Sequence, residues 1–279
     1  MKDKIETIGH NTVIQHGEHN KRIYLIKLDE RDMDLIPKLS EMAREHRYTK
    51  VFCKVPTWAA PAFSADGYIL EAYIPGFYNG TTGVSFMSKF LSSDRLLGME
   101  HEQLAAFSQL LRELENQPVE LPSAGDELQI LSLGKDRAEE VAAVYREVFK
   151  SYPFPIRDPD YIAETMDENL RYFGVEKEGR LIALSSVEMD MEGLNAEMTD
   201  FATLPEARGK KLSLRLLDVM EKEMKDAGML TLYTIARLNS FPMNKTFLAS
   251  GYAYSGTLVN NTNIAGSIES MNVLYKQIK

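Results

Sequence analysis

The stretch AEMTDFATLPEARGKKLSLRLLDVM, residues 196–220, constrains this chain more than any other. Residues 195–203 read as a strand, Pro205 ends it, and Arg208, Gly209, Lys210 and Lys211 make a basic turn. From Lys210 onward, Leu212, Leu216 and Val219 fall on one face of a helix that runs to Ala227, before Gly228. A helix entered through such a turn leaves its first amides unpaired and its positive dipole end open. With Arg208, Lys210, Lys211 and Arg215 beside them, those amides suit an anionic ligand such as a pyrophosphate. A capped surface helix with solvated lysines is the competing reading.

The rest of the chain alternates strands and helices. In the first half, residues 21–28 (KRIYLIKL), 50–55 (KVFCKV), 68–78 and 84–91 read as strands. Residues 32–46 carry Leu35, Leu39 and Met42 at helical spacing, residues 57–65 form a short helical piece, and residues 101–115 place Leu104, Phe107, Leu111 and Leu114 on one face. The segment NQPVELPSAGDE, with Pro118, Pro122, Ser123 and Gly125, divides the chain into domains at 1–118 and 126–279. The second half reads as strand 128–133, helices 137–150 and 158–168, hairpin 170–188, strand 195–203 and helix 210–227. Strand 230–235, helix 241–250 and strands 252–259 and 271–278 complete it. The order implies an α/β (α+β) fold, a mixed sheet flanked by helices on both faces.

Composition narrows the partners. A net charge of -9 disfavours nucleic acid and anionic membranes and favours a small or cationic molecule. Cys53 is the single cysteine, so an intramolecular disulfide and a cysteine-rich metal centre are excluded. His10, His16 and His19 interleave with Gly9, Asn11, Gly17 and Asn20 and read as exposed turn residues, so no metal is expected. No run approaches a membrane span and no secretory h-region opens the sequence, which points to the cytoplasm.

On the basic turn and the order β-α-α-β-β-β-α-β-α-β-β, the chain resembles the GNAT family of N-acetyltransferases. The family signature, [Q/R]-x-x-G-x-[G/A], meets Glu206, Ala207, Arg208, Gly209, Lys210 and Lys211 here. Glu206 and Lys211 depart from it, and Lys211 is tolerable if the backbone there is right-handed helical. The stretches SYPFPI, NKTFLASGY, LVNNTNIAGSIESMN and GYILEAYIPGFYNG extend the likeness over the whole chain, to the β-lysine N-acetyltransferases. The resemblance implies acetyl-CoA as cosubstrate, held by Arg208, Gly209, Lys210, Lys211, Leu212 and Ser213, and a small diamino acid as acceptor. Another amine (a polyamine, an aminoglycoside or a protein lysine) and a non-catalytic acetyl-CoA sensor stay open, as does a homodimer.

Acetyl transfer to an amine needs a base for the ammonium, donors for the oxyanion and stabilisation of the leaving thiolate. The resemblance assigns oxyanion donation to backbone N–H groups of Phe201, Ala202 and Thr203. It makes Glu197 the first candidate base, by its register before Thr203, and Asp200 the second. Strand alternation puts Glu197 and Asp200 on opposite faces, so both can serve one substrate only if a bulge intervenes. Many relatives use a tyrosine as thiol acid where this chain has Phe247, and Asn239, Ser240 or Asn244 are left to contact the pantetheine arm. Glu188, Asp200, Asn260, Asn261 and Glu269 are candidates for the non-reacting amine, and Tyr152 and Phe154 for a wall.

The first half also echoes the second. An offset of 184 places Gly67-Tyr68 on Gly251-Tyr252 and Met87 on Met271. Residues 1–95 are therefore read as a degenerate partial acetyltransferase fold. Its counterpart of the basic turn, KLDE at residues 27–30, has no glycine and two acidic groups, so this half should not bind the cofactor. Its apolar strands should pack against the catalytic half or a second copy.

Overall fold

A computed structural model describes residues 3–98, 100–114 and 128–278. The first half contains β1 (Lys4–Ile8), β2 (Thr12–Gly17), β3 (Arg22–Lys27), α1 (Leu35–Glu45), β4 (Lys50–Pro56), α2 (Ala60–Ala65), β5 (Ile69–Tyr78) and β6 (Thr82–Phe90). Helices α3 (Ser93–Leu97) and α4 (His101–Leu114) follow. The second half contains β7 (Gln129–Leu133), α5 (Ala138–Val148), α6 (Pro159–Glu168), β8 (Leu170–Lys177), β9 (Arg180–Asp190), β10 (Asn195–Thr203), α7 (Leu212–Asp226), β11 (Thr231–Arg237), α8 (Phe241–Ala249), β12 (Ala253–Ile264) and β13 (Ser267–Gln277). The strands form two sheets, ordered β1-β2-β3-β4-β6-β5 and β12-β13-β11-β10-β9-β8-β7.

Helices α1, α5, α6 and α7 form where an apolar stripe meets a sheet. Helix α1 buries Ile36, Leu39 and Ala43 against Ile23, Leu25, Val51 and Val55. Helix α7 buries Leu212, Leu216, Leu217, Met220 and Met224 on one face of the second sheet. Helices α5 and α6 cover its other face through Val141, Tyr145 and Ile162. The second half thus has helices on both faces of a mixed sheet.

The two sheets share more than strand order. In both, a parallel pair (β3 with β4, β10 with β11) is followed by an antiparallel return and an antiparallel edge hairpin. The bridged pairs Ile69↔Ser88, Ala72↔Phe86 and Tyr78↔Thr82 recur as Ala253↔Tyr275, Gly256↔Val273 and Thr262↔Glu269, with a register shift at the same places. Strand β5 therefore follows β12 at the offset that matches Gly67-Tyr68 to Gly251-Tyr252. The match of Met87 to Met271 fails: Met87 pairs with Leu70, and its counterpart is Leu274, which pairs with Tyr254. Longer connections in the second half shift the frame. The boundary read at 118–126 lies within 115–127, outside the described residues.

Three local expectations are corrected. His16 is not an exposed turn residue but is buried on β2, against Tyr48 Oη at 3.2 Å and Glu6 Oε1 at 2.9 Å. Strands β12 and β13 continue through a segment too rich in asparagine to read as strand, because those polar groups bond to the first half. Lys211 is left-handed, at φ 54° and ψ 32°, where an L side chain is strained by roughly 1 kcal/mol and glycine is not.

The first half docks on the second through Phe52, Ala72, Ile74, Phe77, Val84 and Phe86, which meet Tyr233, Leu258, Ile264, Met271 and Val273. Polar contacts surround this apolar seam. Tyr73 N donates to Ser255 Oγ at 2.8 Å, and that hydroxyl donates to Tyr73 O at 2.6 Å. Gly256 permits the approach, since a Cβ there would lie 2.0 Å from Glu71 O. Lys50, fully buried, donates to Glu71 Oε2 at 2.9 Å and to Val259 O at 2.8 Å, while Val259 N donates to Glu71 Oε1 at 2.7 Å. Burial pulls the Lys50 amine down to about 8 against the attraction of Glu71. Lys50→Met leaves that carboxylate buried and unpaired, so chemical denaturation should show a loss of about 3–5 kcal/mol.

Candidate active site

Where the halves meet lies a cavity of about 470 Å³, walled by both. The second half supplies Glu188, Glu197, Thr199, Asp200, Tyr152, Phe154, Asn261 and Met271, and the first supplies Arg22, Tyr24, Phe52 and Lys54. Strand β10 controls its geometry. It pairs with β11 only from Asn195↔Thr231 to Glu197↔Tyr233, and then the two strands part. On its other side the register with β9 shifts between Thr199 and Ala202, and Asp200 adopts φ 56°. This is the bulge that alternation alone required. It brings Asp200 into the same cavity as Glu197.

Three carboxylates converge there. Glu197 stands directly across from Glu188 on β9. Burial pushes Glu197 up to about 7, the charges of Glu188 and Asp200 push the same way, and Lys54 and the Tyr233 hydroxyl pull back. Burial raises Glu188 as well, again opposed by Lys54. Burial also raises Asp200, although hydroxyls of Ser186, Tyr152 and Thr199 oppose it. Ser186 Oγ donates to Asp200 Oδ2 at 2.6 Å and Tyr152 Oη donates to Asp200 Oδ1. Asp200 is therefore held by donors, whereas Glu197 is divided between its two protonation states near neutrality. Lys54→Met should move the pH midpoint for Glu197 upward, read as a shift of the acid limb of kcat/KM to higher pH; an unmoved limb would remove Lys54 from this network.

The basic turn lies at the start of α7. Gly209 has φ 80°, a Cβ there would meet nothing within 4 Å, and no side chain caps the helix. Arg208, Lys210 and Lys211 are exposed, and Leu212 is a core side chain whose only free contribution is its amide. Phe201 packs edge-on to buried Phe247, with ring centroids 5.5 Å apart, so the position of the usual tyrosine has no proton to give.

Not every candidate reaches the site. Asn244 Nδ2 donates to Arg237 O at 2.9 Å and Ser240 O at 3.0 Å, and its Oδ1 accepts from Asn272, so its amide is spent inside the fold. Asn239 Nδ2 is tied to Glu100 Oε1 at 2.6 Å. Asn260 holds the halves together, donating to Arg95 O at 2.8 Å and Gly98 O at 3.1 Å. Glu269 is forked to Arg237 at 2.7 and 2.9 Å, away from the cavity. Arg22, Tyr24 and Lys54 escaped sequence reasoning. Their one trace is a cation at the same strand parity as an aromatic, in KRIYLIKL and KVFCKV.

The profile of the Acetyltransferase (GNAT) family matches residues 139–252. A Beta-lysine N(6)-acetyltransferase of Methanococcus maripaludis is 40% identical, over 95% of this chain and 96% of that protein. The chain belongs to the GNAT acetyltransferase family. N-acetyltransferase YodP of Bacillus subtilis is 31% identical over 100% of both chains. Among solved structures, a spermidine N-acetyltransferase of Vibrio cholerae has a TM-score of 0.48 and 19% identity, over 55% of this chain and 95% of that one.

As a GNAT enzyme this protein is an amine N-acetyltransferase of a family whose acetyl donor is acetyl-CoA. The parted β10 and β11, the open Gly209 turn and the uncapped α7 suit such a donor. Among the described residues no group of histidine, cysteine or acidic side chains could hold a metal ion, and no helix is long and apolar enough to cross a membrane.

Proposed function

We propose that this GNAT enzyme acetylates the terminal amine of β-lysine (3,6-diaminohexanoate), with acetyl-CoA as donor, giving N6-acetyl-β-lysine. The observation that carries this reading is the carboxylate-lined cavity at the point where β10 and β11 part. The reacting amine arrives as an ammonium, which an acidic enclosure attracts, and Glu188, Glu197 and Asp200 line one. The name of the 40% identical relative agrees with it.

Bound acetyl-CoA would supply the acetyl thioester. Backbone amides at Arg208–Ser213 and the adjoining lysines hold its phosphates. Backbone N–H groups of Phe201, Ala202 and Thr203 serve the developing oxyanion at the bulge. Glu197 takes the proton from the substrate ammonium, since burial has raised its basicity. Asp200, fixed by Tyr152 and Ser186, attracts the cationic substrate electrostatically. In this reading residues 126–279 are the catalytic domain, and residues 1–118 form a degenerate domain that closes the site without binding cofactor. The register of the first sheet supports the degenerate reading of that half. Tyr24 pairs with Phe52 as Glu197 pairs with Tyr233, so the position of the base is a tyrosine in the first half.

Mass spectrometry of the protein incubated with acetyl-CoA and β-lysine, spermidine, an aminoglycoside or a lysine peptide tests the reading. The expected product is singly acetylated β-lysine. Acetylation of another amine alone would replace the substrate, and bound acetyl-CoA with no product would make the protein a sensor.

A further inference from the structure

The cavity has a second pole that the chemistry above does not use. Arg22 lies on β3 and is 4% exposed, yet it has no carboxylate within ion-pair distance among the described residues. Asp3, the acidic group whose charge acts on it, does so from farther away. Its Nη1 donates to Asn261 O at 2.6 Å and to Thr262 Oγ1 at 3.0 Å, and its Nε is buried without a partner. The guanidinium packs over Tyr24 and Phe52, with Cζ 5.3 and 5.6 Å from their ring centroids. Burying a cation with unused donors is costly unless an anion completes the site. The neighbouring Arg95 is a contrast, since it is spent on Asn260 O at 2.6 Å, Asn20 O at 3.1 Å and Thr49 Oγ1 at 3.0 Å.

Beside Arg22 is an orphan of the opposite kind. Asn261 is 1% exposed and lines the same cavity, and its Oδ1 is buried with no donor. An unused cationic donor and an unused acceptor are thus adjacent, joined through the Asn261 carbonyl. A carboxylate with a neighbouring ammonium satisfies both.

We propose that Arg22 and Asn261 form a subsite for the amino-acid head of the substrate, the guanidinium taking its carboxylate and Asn261 Oδ1 its non-reacting ammonium. This rests on the β-lysine reading and extends it to the half of the chain without the phosphate turn. The two poles match the substrate end for end. Glu188, Glu197 and Asp200 receive the terminal amine and Arg22 and Asn261 the head, in the cavity that Tyr24 also lines. A diamine without a carboxylate answers only the acidic pole. The first half thus contributes recognition, which explains why a degenerate copy retains a charged residue in an apolar strand.

The test compares β-lysine with 1,4-diaminopentane, the same carbon chain without the carboxyl group, in wild type and in Arg22→Gln. Wild type should prefer β-lysine by about 100-fold in kcat/KM, chiefly through KM, and the preference should collapse to a few-fold in the variant. Arg22 also bonds to the backbone of β12, so Asn261→Ala, whose lost oxygen has no protein partner, is measured beside it. Its KM for β-lysine should rise roughly 10-fold with an unchanged melting temperature. Equal losses for both amines in Arg22→Gln, with Asn261→Ala unaffected, would overturn the subsite, as would a wild type indifferent to the carboxylate. A wild type that prefers a different ω-amino acid over its decarboxylated analogue would overturn β-lysine and keep the subsite. Should no amine be acetylated, calorimetry with β-lysine decides: no heat in wild type overturns both readings, and binding lost in Arg22→Gln supports the subsite.

Discussion

Glu197→Gln should lower kcat/KM at neutral pH by about 100- to 1000-fold, with partial recovery as pH rises and free amine becomes abundant. In the wild type the rate should climb through the midpoint of Glu197, near 7, because only the carboxylate accepts a proton. The glutamine variant should lack that limb and keep only the rise due to the substrate amine. Wild-type rates across the whole range would remove Glu197 from this role and pass it to Asp200 or to water.

The same substitution has a signed effect on stability. The folded protein holds the Glu197 proton more tightly than the unfolded chain does. Its carboxylate therefore destabilises the fold progressively as pH rises from the unfolded value of ~4.3 through about 7. Glu197→Gln should accordingly melt a few degrees higher than wild type at pH 8, with the gap closing by about pH 4. A variant less stable than wild type at pH 8 would mean that Lys54 and Tyr233 gain more from the charge than burial takes away. Gains in stability together with losses in rate are the mark of a base held in an unfavourable place for chemical reasons.

Gly209→Val should weaken acetyl-CoA binding by at least ~100-fold while the protein stays folded. Gly209 is at φ 80°, which a β-branched residue adopts only at a cost of a few kcal/mol, so the turn would reorganise and its amides would lose their common direction. The surroundings do not forbid valine, since a Cβ there meets nothing within 4 Å. The fold should therefore tolerate what the ligand does not. Calorimetry reads the affinity and thermal melting the fold. Unchanged affinity would move the phosphate site away from this turn. The strain already present at Lys211, left-handed beside it, indicates that the turn is held open against local preference.

How much of this was legible in advance depended on whether the signal was local. The strand, the basic turn and helix α7 follow from Pro205, Gly209 and the spacing of Leu212 and Leu216, which act within a few residues of each other. The repeat was visible in Gly67-Tyr68 and Gly251-Tyr252. Its frame was not, because loops of different length displaced Met87 from Met271. Strand β2 was hidden by His16 and the glycines and asparagines around it, which look like turn residues, although His16 is buried and bonded. Strand β12 was cut short for a related reason, since the buried Asn260 side chain suits a strand only once Arg95 O and Gly98 O accept from it, and the Asn261 carbonyl only once Arg22 reaches it.

The sequence by itself determined the element order and the basic glycine turn before α7, since periodicity and a short motif are enforced by backbone hydrogen bonding within one segment. The candidates Glu188, Glu197 and Asp200 came instead from the family resemblance and the substrate it implies. Only the tertiary structure decided which of the polar candidates share a cavity. It retired Asn244, Asn260 and Glu269 into the framework, because partners far along the chain claimed their hydrogen bonds first. It turned Asp200 toward Glu197, because a bulge overrode the alternation of β10. It also brought Arg22 and Lys54 to the site from the other half, because two apolar sheet faces could leave water only by closing on each other, and the cavity is what their polar rims enclose.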